Sequence, residues 1–260
     1  MASSQFGDVS VTIENYVAVV EIHRPPHNYF DLALIRSLKE AFLALDADAN
    51  CRSLVLASEG KSFCAGTNFQ TAVEEPVVGP SRAERLYSEA INLFANQKPI
   101  VVAVQGTAVG GGLGLALVGD FRVASPETRL VANFVKLGIH PGFGLTYTLP
   151  KIIGVQKANL MFYTGYSVSG EEAFSWGLAD FLVPADELRL AAIKFAEGFT
   201  ESAPLAVAST RATMREGLIE AVKKHLVREL AEQSRLRQTQ DHQEGLKAAR
   251  ERRTAIFEGR

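Results

Sequence analysis

The residues best suited to chemistry in this chain lie in two short turns, Ala65-Gly66-Thr67 and Gly110-Gly111-Gly112, each following a run that reads as a buried strand. Glycine lets a backbone approach a ligand closely. The second turn opens onto an apolar helix, so its free N–H groups and the helix dipole suit a developing oxyanion. The competing reading is steric: a strand and a helix in close contact need small residues where they meet. On these residues alone both readings stay open. Other signatures fail. Gly60-Lys61-Ser62 has Val55 where a phosphate-cradling loop needs glycine, and the run from Gly110 ends in Leu115 where a dinucleotide-binding turn needs glycine. Gly165-Tyr166-Ser167-Val168-Ser169 lacks the closing glycine of a nucleophile elbow. There is no HExxH and no CxxC, so no metal site is expected.

These turns belong to a chain of 260 residues, 47% apolar and 22% charged, which suits a globular fold of one sizeable core or two modest ones. With 27 basic against 29 acidic residues the net charge is −2, so neither nucleic acid nor a membrane surface is an expected partner. The two cysteines, Cys51 and Cys64, cannot build a disulfide framework, and Met1 to Ser10 has no basic patch followed by an apolar run; a cytoplasmic protein is expected. Pro99 to Gly119 is uncharged and long enough to cross a bilayer, but its six glycines favour a strand, a tight turn and a buried helix.

The elements that must hold the turns can be read from periodicity. Val9 to Glu14 and Val17 to His23 suggest paired strands, stopped at Arg24-Pro25-Pro26. Asp31 reads as the N-cap of a helix that buries Leu34, Leu38, Ala41, Phe42 and Leu45. Ser53 to Ala57, Ile100 to Val104 and Phe121 to Ala124 are short runs suited to a parallel sheet, and a helix is expected over Ala83 to Ala95. From about Ser169 helices dominate: Gly170 to Trp176, Glu187 to Thr200, Pro204 to Glu216, and Leu218 to about Gln238. The pattern predicts a βα core over residues 1–197 and a helical region over 198–260. Leu205, Val207, Leu218, Val222, Leu226 and Leu230 give that region more apolar positions than a thin layer needs, which points to oligomerisation.

Five motifs occur in order: Ser62-Phe63-Cys64-Ala65-Gly66-Thr67-Asn68-Phe69; Lys98-Pro99 to Gly106 with Ala108-Val109-Gly110-Gly111-Gly112; Asp120 to Ser125; Gly138-Ile139-His140-Pro141-Gly142 with Leu149-Pro150; and Gly177-Leu178-Ala179-Asp180. In these the chain resembles the crotonase, or enoyl-CoA hydratase/isomerase, superfamily. The resemblance implies an α/β fold, a spiral of ββα units with a helical C-terminal trimerisation region, assembled as a homotrimer or hexamer. It also implies an acyl-CoA substrate, with coenzyme A as part of the substrate and no tightly bound cofactor. The backbone donors to the thioester carbonyl then fall on Thr67 and Gly111, and Gly110 belongs to the same turn. Adenine and pantetheine contacts map to Ala65, Gly66, Asn68, Phe69 and Gln70, and the basic residue that reaches the CoA phosphates to Arg252 or Arg253.

The chain departs from the family at its acids. Hydratases carry one glutamate two residues after the GGG turn and another seven residues before the proline of the PG turn, where this chain has Gly114 and Phe134. Neither residue transfers a proton. Other members place aspartate or tyrosine just after that proline, where this chain has Gly142; the GGGLG pattern is close to that of 4-chlorobenzoyl-CoA dehalogenases, without their aspartate nucleophile. The acyl pocket is expected to be apolar, lined by Phe134 and Phe143, with Glu74, Glu75, His140 and Tyr147 as the remaining polar candidates. Two readings follow. One is an acyl-CoA lyase or isomerase that uses the oxyanion hole without the usual glutamates; the other is a catalytically silent acyl-CoA binder or assembly subunit.

Overall fold

The structure, a computed structural model, describes residues 2–68 and 81–260. It opens with β1 (Ala2–Phe6), β2 (Val9–Glu14) and β3 (Val17–Ile22), an antiparallel meander. Helix α1 (Leu32–Ala47) starts where the Asp31 carboxylate accepts from the Leu34 amide at 2.9 Å, and it buries the stripe read from the sequence, with Ile35 added. Strand β4 (Ser53–Ser58) is buried at every position and pairs parallel to β3.

Helix α2 (Arg82–Ala90) gives way to a 3-10 turn over Ile91–Ala95, so the single helix expected from Ala83 to Ala95 is two elements. Three apolar side chains in that 3-10 turn, Ile91, Leu93 and Phe94, are buried together, and the tighter winding brings them onto the core. Next come β5 (Ile100–Val104), β6 (Thr107–Val109) and α3 (Gly111–Ala116); the uncharged stretch from Pro99 to Gly119 is strand, turn and short buried helix, as its glycines predict. Then follow β7 (Phe121–Ala124), β8 (Arg129–Val131), α4 (Leu145–Ile153), α5 (Val155–Thr164), β9 (Ser167–Ser169), α6 (Gly170–Trp176) and β10 (Phe181–Leu182).

These strands form two sheets. The larger runs β1-β2-β3-β4-β5-β7-β10 and is parallel from β3 onward; the smaller runs β6-β8-β9. Successive strand pairs β5 and β6, then β7 and β8, place one strand in each sheet before the chain enters a helix. The result is a spiral of ββα units. The small sheet was not foreseen, because its three-residue strands are too short to show a period. Among the described residues no helix is long and apolar enough to cross a membrane.

The remaining helices are α7 (Leu188–Gly198), α8 (Pro204–Met214), α9 (Leu218–Leu236) and α10 (Gln240–Glu251). Helix α7 covers the outer face of the large sheet through Leu188, Ala192 and Ala196, packed with Val55, Val101 and Val123. Helix α8 buries only Arg211. That guanidinium donates from Nε to Asp120 at 2.9 Å and from Nη1 to the Asn96 carbonyl, while Arg215 reaches Asp120 at 3.2 Å. Burial pulls Arg215 down to about 10 against the opposing charge of Asp120, a sign of how sheltered the contact is. Helix α9 contributes buried Glu229, which accepts from the Gly144 amide (2.7 Å), the Thr146 amide (2.9 Å) and the Thr146 hydroxyl (2.6 Å). Gly144 has no side chain with which to cap α4, and Glu229 supplies that acceptor from another helix.

Of the apolar positions that pointed to oligomerisation, Val222 and Leu226 are buried and Leu218 and Leu230 pack on the same core. Those four serve this chain's own interior, which a pattern of spacing cannot separate from an interface. Leu205, Met214 and Val227 stay exposed.

Asp120 should therefore hold the C-terminal helices in place. Asp120→Ala leaves two sheltered guanidinium groups without their shared carboxylate and is expected to cost about 3 kcal/mol or more in urea denaturation. A loss below about 1 kcal/mol, the value of an exposed pair, would contradict this.

Candidate active site

The two glycine turns meet. Cys64 and Ala108 form an isolated parallel bridge, with the Cys64 amide donating to Thr107 at 3.0 Å and the Val109 amide donating to the Cys64 carbonyl at 3.0 Å. Gly66 has φ +81°, and a Cβ there would stand 2.7 Å from the Val109 carbonyl oxygen and 3.9 Å from the Gly111 nitrogen. A Cβ on Gly112 would fall 2.0 Å from the Cys64 carbonyl oxygen. Gly110 takes φ 54° and ψ −114°, open only to glycine, and its amide is held by Val131 at 2.8 Å. Backbone thus lies directly on backbone, the close contact that the steric reading of these glycines requires.

Gly111 is the first residue of α3, so its amide has no acceptor within the helix. Neither it nor the Thr67 amide donates to a protein acceptor among the described residues. Beneath the turn the Cys64 thiol is fully buried, and desolvation pushes it up to about 12, which removes it as a thiolate nucleophile.

The two acid positions are closed by rings. A Cβ on Gly114 would meet Phe143 at 2.6 Å, and a Cβ on Gly110 would lie 3.6 Å from the tip of Phe134, on the 3-10 turn Asn133–Leu137. Phe30 abuts Gly111 so closely that a Cβ there would be 2.1 Å from its ring. Phe30, Tyr87, Phe94 and Phe143 form a continuous aromatic cluster with centroids 6.0 to 6.3 Å apart. Phe134 and Phe143, the residues expected to line an apolar pocket, lie against Gly110 and Gly114. The remaining polar candidates do less. His140 is engaged through Nδ1 with the Pro141 carbonyl at 2.9 Å, and Tyr147 faces His225 and accepts from Lys151 at 3.1 Å. Phe69, Gln70, Glu74 and Glu75 lie outside the described residues.

A cleft of about 260 Å³ adjoins the site, lined by Arg24, Tyr29, Phe30, Asp31, Asn68 and Arg82. Of the predicted contact residues Asn68 is in it. Arg24 and Arg82 were missed: Arg24-Pro25-Pro26 reads only as a strand stop, and no spacing ties either arginine to Asn68. Arg24 is steadied by Asp8 (2.6 Å) and Asp31 (2.8 Å). Arg253, by contrast, pairs with Glu244 and Glu251, and Arg252 ends α10 in a left-handed conformation; no described contact brings either to Ala65, Gly66 or Asn68.

The spiral of ββα units and the ordered motifs are matched by known proteins. The Enoyl-CoA hydratase/isomerase family model matches residues 12–260, and the chain belongs to that family, within the crotonase superfamily. It is 30% identical over 255 residues to a probable enoyl-CoA hydratase of Bacillus subtilis, covering 96% of this chain and 98% of that one. It is 32% identical over 247 residues to the crotonyl-CoA hydratase of Syntrophomonas wolfei, covering 94% and 95%. The crystal structure of an enoyl-CoA hydratase/isomerase from Pseudoalteromonas atlantica superposes with TM-score 0.85 at 27% identity, covering 96% of this chain and all of that one.

The contact between Phe30 and Gly111 makes a packing prediction. Gly111→Ala should destabilise the protein by about 1–3 kcal/mol through overpacking, and the loss should shrink in a Phe30→Val background. Equal losses in both backgrounds, measured in a double-mutant cycle, would show that the ring does not confine this position.

Proposed function

We propose that the chain binds acyl-CoA thioesters with the carbonyl oxygen between the Thr67 and Gly111 amides, and stabilises a thioester enolate there without the two glutamates of a hydratase. The observation that carries this reading is the meeting of the two turns, with two amides on adjoining segments that find no protein acceptor among the described residues. The positive end of α3 adds to the field at the same point; as that helix is short, the amide itself is the larger effect. Thr67, Gly111 and Gly110 form the polarising element, Ala65, Gly66 and Asn68 flank the thioester, and Phe134 walls the acyl group. Coenzyme A comes and goes as part of the substrate.

Ordinary hydration is not supported. Adding water to an enoyl thioester needs a base and an acid in place, and Phe143 and Phe134 occupy those positions. An isomerase or lyase on a substrate that carries its own leaving group fits an apolar site better. The same ring-filled positions favour a second reading, a silent acyl-CoA binder or assembly subunit. Exposed Leu205, Met214 and Val227 support assembly of copies into a trimer or hexamer in either case, and the net charge supports neither a nucleic acid nor a membrane partner.

Crotonyl-CoA hydration, followed as loss of the conjugated thioester absorbance, should run at least about 10² to 10⁴ below an ordinary hydratase; hydration at full pace would refute an impaired acid-base site. Thr67→Pro removes one donor amide and should weaken binding of a nonhydrolysable acyl-CoA in calorimetry by tenfold or more, whereas Thr67→Ala keeps the amide and the affinity. Unchanged affinity in folded Thr67→Pro protein would move the carbonyl site elsewhere.

A further inference from the structure

Three polar side chains away from the glycine turns form a hydrogen-bonded chain that the acyl-CoA reading does not use. The Ser10 hydroxyl lies 2.7 Å from His23 Nε2, and His23 Nδ1 lies 2.9 Å from a Glu59 carboxylate oxygen. The three residues come from adjacent strands of the large sheet: Ser10 is in β2, His23 follows β3 and Glu59 follows β4. Backbone pairing continues past the strand ends to fix them. The His23 amide donates to the Asp8 carbonyl and the Glu59 amide to the Ile22 carbonyl, both at 2.8 Å. Side chains alternate along a strand, and Val9 and Val11 belong to the core that α1 covers, so Ser10 and Thr12 face the other side, where α7 packs.

A carboxylate only accepts, so Glu59 takes the Nδ1 proton of neutral His23 and leaves Nε2 as the acceptor for the Ser10 hydroxyl. A serine whose proton is held by a base, with that base oriented by a third group, is an activated nucleophile. Water also has access, since the His23 side chain is 33% exposed and the Glu59 side chain 53%. Sequence reading could not find this set, because Ser10 and Glu59 stand 13 and 36 positions from His23.

Thr12, about 7 Å along the strand from Ser10 on the same face, lines a cleft of about 220 Å³ together with Val17, Val19, Arg189 and Ile193. The two valines and the isoleucine give that cleft an apolar lining. Arg189 is neutralised by Glu21, whose oxygens it meets at 2.6 and 2.5 Å, and Glu21 stands opposite Ser10 in the strand register. Glu14 and Glu197 border the same cleft, and their charge disfavours phosphates and carboxylates. An uncharged ester with a short apolar group fits; a CoA thioester does not. Cys64, beneath the glycine turns, packs in the core on the opposite side of the large sheet, so the two sites are separate.

We propose that Ser10, His23 and Glu59 form a second active site, an esterase centre for uncharged carboxylic esters, with Ser10 as nucleophile, His23 as base and Glu59 as positioning residue. Ser10 Oγ attacks the ester carbonyl carbon and its proton passes to His23 Nε2. The C–O bond to the alcohol breaks, His23 returns the proton to the departing oxygen, and an acyl-serine is left. Water, deprotonated by His23 in turn, hydrolyses that ester and restores Ser10. The full chain, treated with a fluorophosphonate probe, should carry the adduct on Ser10 by mass spectrometry, and it should hydrolyse p-nitrophenyl butyrate. Ser10→Ala should abolish both, and His23→Ala should lower both by about 10² or more. Glu59→Gln should lower kcat and leave KM unchanged, whereas Ser4→Ala, at an exposed position of β1, should change neither. No adduct on Ser10 in the unaltered protein, labelling undiminished in His23→Ala, or ester hydrolysis that survives Ser10→Ala overturns the site. The adduct on the unaltered protein is read without any variant, so a variant that fails to fold leaves the test decisive.

Discussion

The rest of this structure depends on a place where two backbones touch. At Gly66 and Gly112 there is no room for a Cβ against Val109 and Cys64, and at Gly111 there is none against Phe30. Close contact of this kind fixes the relative position of two turns that arrive from different parts of the chain, and it does so with the stiffest groups available, peptide planes. A Cβ on Gly66 would lie 3.9 Å from the Gly111 nitrogen as a result. A site made of side chains would need further side chains to orient it, whereas here the parallel bridge between Cys64 and Ala108 and the Gly110 bond to Val131 are enough.

Around that contact the protein uses charge where apolar area is short. Helix α8 buries almost nothing apolar and is attached through Arg211 and Arg215 to Asp120, at the junction between α3 and β7. Helix α9 reaches the loop before α4 through Glu229, whose oxygens replace the cap that Gly144 cannot provide. Burial pushes the Glu229 carboxyl up, and the three donors it meets oppose that shift. Both anchors tie C-terminal helices to the core, and among the described residues no helix after Gly198 contributes a residue to the two glycine turns.

The chemistry is shaped as much by what is filled as by what is offered. Phe143 stands against Gly114, Phe134 against Gly110, and Tyr87 with Gln233 against Gly142, so rings and an amide from other elements fill the space beside these glycines. In the proposed acyl-CoA reading, a low-polarity wall would strengthen the pull of the two amides on a carbonyl oxygen and would also remove the means to shuttle protons. That combination suits a substrate whose own groups complete the reaction, or a partner that is only held.

Local patterning in the sequence determined most of the frame: the Asp31 cap and the α1 stripe, the buried strands β4, β5 and β7, and the glycine turns all follow from residue type and spacing, because each is decided by neighbours within a few positions. Ordered motifs then tied the frame to a family. Tertiary structure alone decided the small sheet, whose strands are too short to carry a period, and the division of α9's apolar face, most of which serves this chain's own core. It also decided what stands beside Gly111, Gly114 and Gly142. Phe30, Tyr87 and Gln233 are separated from Gly111, Gly142 and Phe143 by tens of residues, and only packing across helices shows that they share one space. Contacts over such separations depend on how whole elements dock, which no local rule of spacing encodes.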